Sequence, residues 1–161
     1  MSPTPEPVPA RLRAVPSRLL ARAGAVADRL VGDRLADAGG RKWHFAVLVA
    51  LADVGSASQA ELSRRTGIYR SDMVAVLNEL ADGDYVRREP DPDDRRRNVI
   101  TLTPAGRRRM ERLDALIADA QRALFAPLTP AEQNELTRLL TLLTEHHHPP
   151  HEPHPHPGDA R

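Results

Sequence analysis

SQAELSRRTGIYRSDMVAVLNELADGDYVRREPDPDDRRRNVITLTPAG, residues 58–106, is the stretch that decides the fold. Ser58-Gln59-Ala60-Glu61 is a capping box, a hydroxyl and a carboxylate spaced to satisfy each other's free backbone amides at a helix start. The short helix that it opens stops at Gly67. A second helical pattern follows, with Met73, Val76, Leu77 and Leu80 facing inward and Gly83 as its stop. Helix, three residues, helix is the spacing of a helix-turn-helix. Tyr85 to Glu89 and Asn98 to Leu102 then alternate like two strands. Pro90 to Arg97 between them is too polar and too broken by proline to belong to either.

Outward from this unit the pattern is helical. Thr103-Pro104 places a hydroxyl at the cap and proline at the first helical position. The long helix that follows has a stripe of Met110, Leu113, Ile117, Ala120 and Leu124. Thr129-Pro130-Ala131-Glu132 is a second capping box, and the last helix carries Leu136, Leu139, Leu140 and Leu143 along one side. On the other flank, Leu19, Leu20, Ala23, Val26, Ala27, Leu30, Val31 and Leu35 recur at helical spacing and end at Gly39-Gly40. Trp43 to Val54 is apolar on nearly every side. Its length and alanines favour a central helix over a buried strand.

The fold class expected is mainly α with a small β-hairpin wing: a winged helix-turn-helix lobe at 58–106 within a domain at 17–145. Helices at 17–40 and 107–145 would form a dimeric frame. Such a lobe grips duplex DNA by laying one helix in the major groove while a charged finger reaches the neighbouring minor groove. Residues 1–16 carry five prolines and are expected to be a disordered tail without helix. Residues 146–161 carry five more, with six of the seven histidines, and are expected to be a second such tail.

Composition narrows the field. Of 161 residues 40% are hydrophobic and only 3% aromatic, so Leu, Val, Ala and Ile must fill the core, which favours helices. The net charge of +1 says nothing of nucleic acid, but its distribution does. Tyr85 to Arg112 holds nine arginines against five acids, while the remaining charges largely cancel. There is no cysteine, which excludes disulfides and thiolate metal sites. No apolar run reaches membrane-spanning length and no signal-peptide core is present, so a cytoplasmic protein without a membrane partner is expected. A Gly-rich phosphate loop, a His-Glu-x-x-His zinc motif and a nucleophile elbow are all missing, so neither an enzyme nor a cofactor is expected.

Asp91-Pro92-Asp93-Asp94-Arg95-Arg96-Arg97-Asn98-Val99-Ile100-Thr101-Leu102-Thr103-Pro104-Ala105-Gly106 closely resembles the wing of the MarR family of bacterial transcriptional regulators. The family pattern of Asp-x-Arg, a short strand, Leu-Thr and then Gly falls on Asp94, Arg96, Leu102, Thr103 and Gly106. Gln59 to Ile68 resembles the family's first helix-turn-helix helix. The resemblance follows the order of elements over 17–145 and is specific over 58–106. It implies a homodimer with intertwined terminal helices, double-stranded DNA as partner, and a pocket between the dimerisation helices and the DNA-binding lobe. In many relatives a small phenolic or aromatic acid bound there lowers DNA affinity. Tyr69 and Ala75 depart from the common pattern, Tyr69 replacing a small polar residue before the recognition helix and Ala75 a frequently polar or Arg position one turn later. The cysteine-based peroxide sensing that some relatives use is excluded here.

The leading DNA-contact residue is Arg96, because an Arg on a thin hairpin can enter the concentrated negative potential of a narrow minor groove. Asp94 would hold the guanidinium in aim, and Arg95 and Arg97 would contact phosphate. At the start of the second helix, Arg70 is placed to pair with guanine and Ser71 with phosphate. Asp72 serves either DNA or simply the helix N-terminus. Asn78 suits adenine or a plain exposed position. Arg64 and Arg65 suit phosphate or the helix C-terminus equally. Trp43 and His44 stand at the entrance to the central helix, as ligand contacts or as core residues. His146, His147, His148 and His151 form a dense imidazole tract able to bind nickel, copper or zinc. A metal-binding or metal-sensing protein acting through this tail is therefore the alternative function.

Overall fold

A computed structural model describes residues 9–91 and 98–147. Within the described residues seven helices and three strands run in the order α1 (Ala10–Arg13), α2 (Pro16–Ala36), α3 (Lys42–Val54), β1 (Ser56–Ala57), α4 (Gln59–Thr66), α5 (Arg70–Asp82), β2 (Val86–Pro90), β3 (Asn98–Leu102), α6 (Pro104–Leu124) and α7 (Pro130–His147). The chain divides into two compact units, Met1–Leu124 and Phe125–Arg161.

The core of the first unit forms because each element contributes one apolar face. α3 is the hub: Val47, Leu48 and Leu51 are fully buried. Around them lie Leu62 of α4, Met73, Val76, Leu77 and Leu80 of α5, Val86 and Ile100 of the sheet, and Leu35 and Leu113 of α2 and α6. Each such aliphatic side chain contributes roughly 1.5–3 kcal/mol by leaving water. α2 packs along α6. The second unit holds α7, whose start is a closed capping box. The Thr129 amide and hydroxyl both donate to Glu132 Oε2 at 2.8 Å, and the Glu132 amide donates back to Thr129 Oγ1 at 3.4 Å.

Several expectations are corrected. Ala10–Arg13 is helical despite the proline-rich surroundings, because Pro9 stands at its N-cap and no proline lies inside it. Pro16 likewise opens α2 at the first helical position. At the other end α7 runs on through His146 and His147, two residues expected to lie in a tail. The hairpin is in fact part of a three-stranded antiparallel sheet of order β1-β3-β2, with Ser56 opposite Thr101 and Ala57 opposite Ile100. Pro90 belongs to β2 and pairs with Asn98. It is tolerated because β2 is an edge strand and Pro90 ends it. The Ser58 box closes only halfway: Ser58 Oγ accepts from the Glu61 amide at 3.3 Å, while the Glu61 carboxylate turns to Arg65 instead.

Candidate nucleic-acid interface

The turn between α4 and α5 is set by Gly67, whose φ of 72° caps α4 in the left-handed region that favours glycine. Ile68 then plugs the turn into the core, and Tyr69 begins α5 in extended conformation. The inner face of α5 is sealed by Met73, Val76, Leu77 and Leu80. Its opposite face is left open, with Arg70, Ser71, Val74, Ala75 and Asn78 all exposed. Among the described residues no side chain caps the N-terminus of α5, the end of a helix that favours an anion. Asp72 is half-buried in the first turn, a position favourable for an acid at a helix start.

The hairpin is fixed to this lobe by Thr103. Its hydroxyl donates to the Asp84 carbonyl at 2.7 Å and accepts from the Gly106 amide at 2.9 Å, while its own amide donates to the Tyr85 carbonyl at 3.1 Å. One residue thus caps α6 and ties it to the segment entering β2. Gly106 is required by contact, not by backbone angle: a Cβ there would sit 2.0 Å from the Tyr85 carbonyl oxygen and 2.8 Å from Leu102 Cδ1. This explains the Leu-Thr-x-x-Gly spacing physically.

Other elements of the lobe carry exposed cations. Arg64 and Arg65 end α4 and are exposed, Arg65 pairing with Glu61 at 3.3 Å. Arg87 and Arg88 project from β2. Arg107 and Arg108 are exposed at the start of α6, whereas Arg109 stacks over the Tyr85 ring with 5.5 Å to its centroid. Asp94, Arg95, Arg96 and Arg97 lie outside the described residues, as do His148 and His151.

Three contacts that sequence reasoning missed tie α5 to its neighbours. Arg88 Nη2 donates to Asn78 Oδ1 at 2.6 Å, joining the helix to β2. Glu79 receives Arg41 on one oxygen at 3.2 Å, and His44 Nε2 lies 2.8 Å from the other. This joins α5 to the start of α3. His44 is therefore engaged with a carboxylate, while Trp43 is 48% exposed and does not fill the core. A groove of about 460 Å³ lies between α3 and α4, lined by Ala46, Val49, Ala50, Asp53, Arg65 and Thr66. Its walls are apolar with one acid and one base at the edge. Trp43 and His44 do not line it.

Among the described residues no group of three or more metal-ligating side chains comes together. His146 and His147 stand edge to face, 4.8 Å between ring centroids. Nor is any described helix long and apolar enough to cross a membrane.

A sealed helix-turn-helix, an open recognition face and a hairpin braced beside it define a winged-helix DNA-binding regulator. The chain belongs to the MarR family, whose sequence profile matches residues 40–97. The HTH-type transcriptional repressor Rv2887 of Mycobacterium tuberculosis is 33% identical over 125 residues, covering 78% of this chain and 90% of that protein. The HTH-type transcriptional repressor NicR of Pseudomonas putida is 32% identical over 99 residues, which span 62% of this chain and 61% of NicR. Among solved structures, Bordetella bronchiseptica BpsR, whose DNA binding is regulated by 6-hydroxynicotinic acid, matches with a TM-score of 0.75. It is 27% identical, over 85% of this chain and 98% of that one.

Proposed function

We propose that this protein is a ligand-responsive repressor that binds a pseudo-palindromic operator as a homodimer in the cytoplasm, with no catalytic chemistry of its own. The observation that carries this reading is the two-faced α5, sealed inside by four core residues and open outside beside an uncapped N-terminus. Arg70 and Ser71 meet base edges and phosphate, Asp72 supports the helix start, and Arg64 and Arg65 lie against the DNA backbone. Arg96 enters the minor groove, steadied by Asp94 and flanked by Arg95 and Arg97 at phosphates.

Homodimerisation is supported by apolar surface that one chain leaves open. α2 exposes Leu19, Leu20 and Val26, and α7 exposes Leu139, Leu142 and Leu143. Two-fold symmetry then sets the recognition helices roughly 34–36 Å apart, one turn of DNA.

The effector proposed is a small aromatic or phenolic acid, a class that the BpsR comparison supports. The groove between α3 and α4 suits it, because it touches the helix that carries the recognition turn. The contacts of Arg41 and His44 with Glu79, beside Trp43, couple the same scaffold helix to α5. An effector shifts the equilibrium only by binding the released form of the dimer more tightly.

The test is fluorescence anisotropy with duplex from upstream of the protein's own gene against a scrambled duplex, at several salt concentrations. Selective binding by two protomers, weakening steeply with salt, is expected. Arg96→Ala should cost about 1–3 kcal/mol of that affinity. Equal weak binding to both duplexes would overturn the regulatory reading.

A further inference from the structure

We propose that Val74 and Ala75 read thymine, their side chains meeting C5-methyl groups in the major groove. Thymine at the matching positions of each half-site would then be a determinant of operator choice. The inference rests on the DNA-binding reading above and deepens it.

The open face of α5 has a definite order. Arg70 and Ser71 lie on the first turn, Val74 and Ala75 one turn on, and Asn78 a turn beyond. All five are exposed, Val74 at 44%. The centre of the face that would enter the groove is therefore apolar, with polar groups only at its ends. The floor of the major groove presents hydrogen-bond donors and acceptors at every base pair, and a single apolar group, the thymine methyl. Seating Val74 against a purely polar base edge would strip water from donors and acceptors and return no hydrogen bond. Seating it against a methyl removes apolar surface from water on both sides.

The nearest polar alternative is already committed. Asn78 is the one amide on this face, and the pair it would form with adenine needs both its oxygen and its nitrogen aimed at the base. Its oxygen instead accepts from Arg88 Nη2 at 2.6 Å, which turns the amide towards β2. Asn78 thus braces the hairpin against the helix, and discrimination at mid-helix falls to Val74 and Ala75. Neither packs in the core, so both are free to be used in recognition.

The experiment uses the full-length protein. A randomised duplex pool is selected for binding, and each thymine of the enriched half-site is replaced in turn by deoxyuridine. That change keeps every hydrogen-bonding group of the base edge and removes only the methyl. Loss of about fourfold in affinity is expected at one or two positions per half-site. In Val74→Ser, shown folded by circular dichroism, uracil and thymine should bind alike at the Val74 position, and Val74→Thr, which keeps one methyl, should restore part of the discrimination. Indifference to deoxyuridine at every position would overturn the proposal. So would a thymine preference that survives unchanged in Val74→Ser, because that preference would come from DNA shape. Failure of any duplex to be enriched would instead overturn the DNA-binding reading beneath it.

Discussion

α5 and α7 carry apolar stripes of the same kind, yet the chain treats them oppositely. α5 buries Met73, Val76, Leu77 and Leu80, while α7, five residues longer, buries none of its leucines. An apolar stripe becomes core only where the chain supplies the surface opposite it. α5 finds α3, α4 and β2 within reach, linked by short connections. α2 falls between the two: it packs along α6 but buries only Leu35 outright. The core of the helix-turn-helix lobe is thus complete within one chain, whereas α2 and α7 leave apolar side chains exposed, the surface on which the proposed dimer rests.

That contrast can be broken by mutation. The largest effect is expected inside the lobe. Leu77→Ala should cost about 2–5 kcal/mol of stability in a urea titration, since the side chain is fully enclosed and leaves a cavity. On α7, Leu143→Glu should leave folding intact but yield monomers by light scattering. It should weaken operator binding on the order of 100-fold, as the two half-sites would no longer be held together. A dimer that survives this change would move the interface elsewhere. At the junction of hairpin and α6, Gly106→Ala should destabilise by about 1–3 kcal/mol, because its Cβ meets backbone that cannot swing aside.

The smallest effect expected is at the start of α7. The Thr129 amide, and then its hydroxyl, hold the Glu132 carboxyl below the ordinary carboxylate range. A value lower in the folded state than in the unfolded one means that the contribution is complete above that range. It is lost as pH falls through the lowered value. Glu132→Gln should therefore melt slightly below the wild type at neutral pH by circular dichroism and match it in strong acid. A difference that persists unchanged into acid would show that the box acts through something other than charge.

Much of the lobe is legible in residues 58–106 because its signals are local. A capping Ser or Thr, a stop glycine and a 3.6-residue stripe act over single turns of helix. The Ser58 box shows the limit: its spacing is correct, but Arg65, one turn on, competes for Glu61. β1 escaped notice because two residues carry no periodicity. The partners of Asn78 and Glu79 escaped because Arg88, Arg41 and His44 are distant in sequence and meet them only when helices and strand pack.

The sequence by itself determined the element order, the helix-turn-helix, the α5 inner face and the absence of cysteine chemistry. Each of these follows from residue type and short-range spacing. The tertiary structure alone decided three things. Gly106 is required because a carbonyl crosses over it. Asn78 braces the hairpin, where sequence had left it a choice between adenine and solvent. The open face of α5 has an apolar centre, Val74 and Ala75, between polar ends. All three depend on which surfaces close packing leaves facing one another, and that is settled only when distant segments exclude water together.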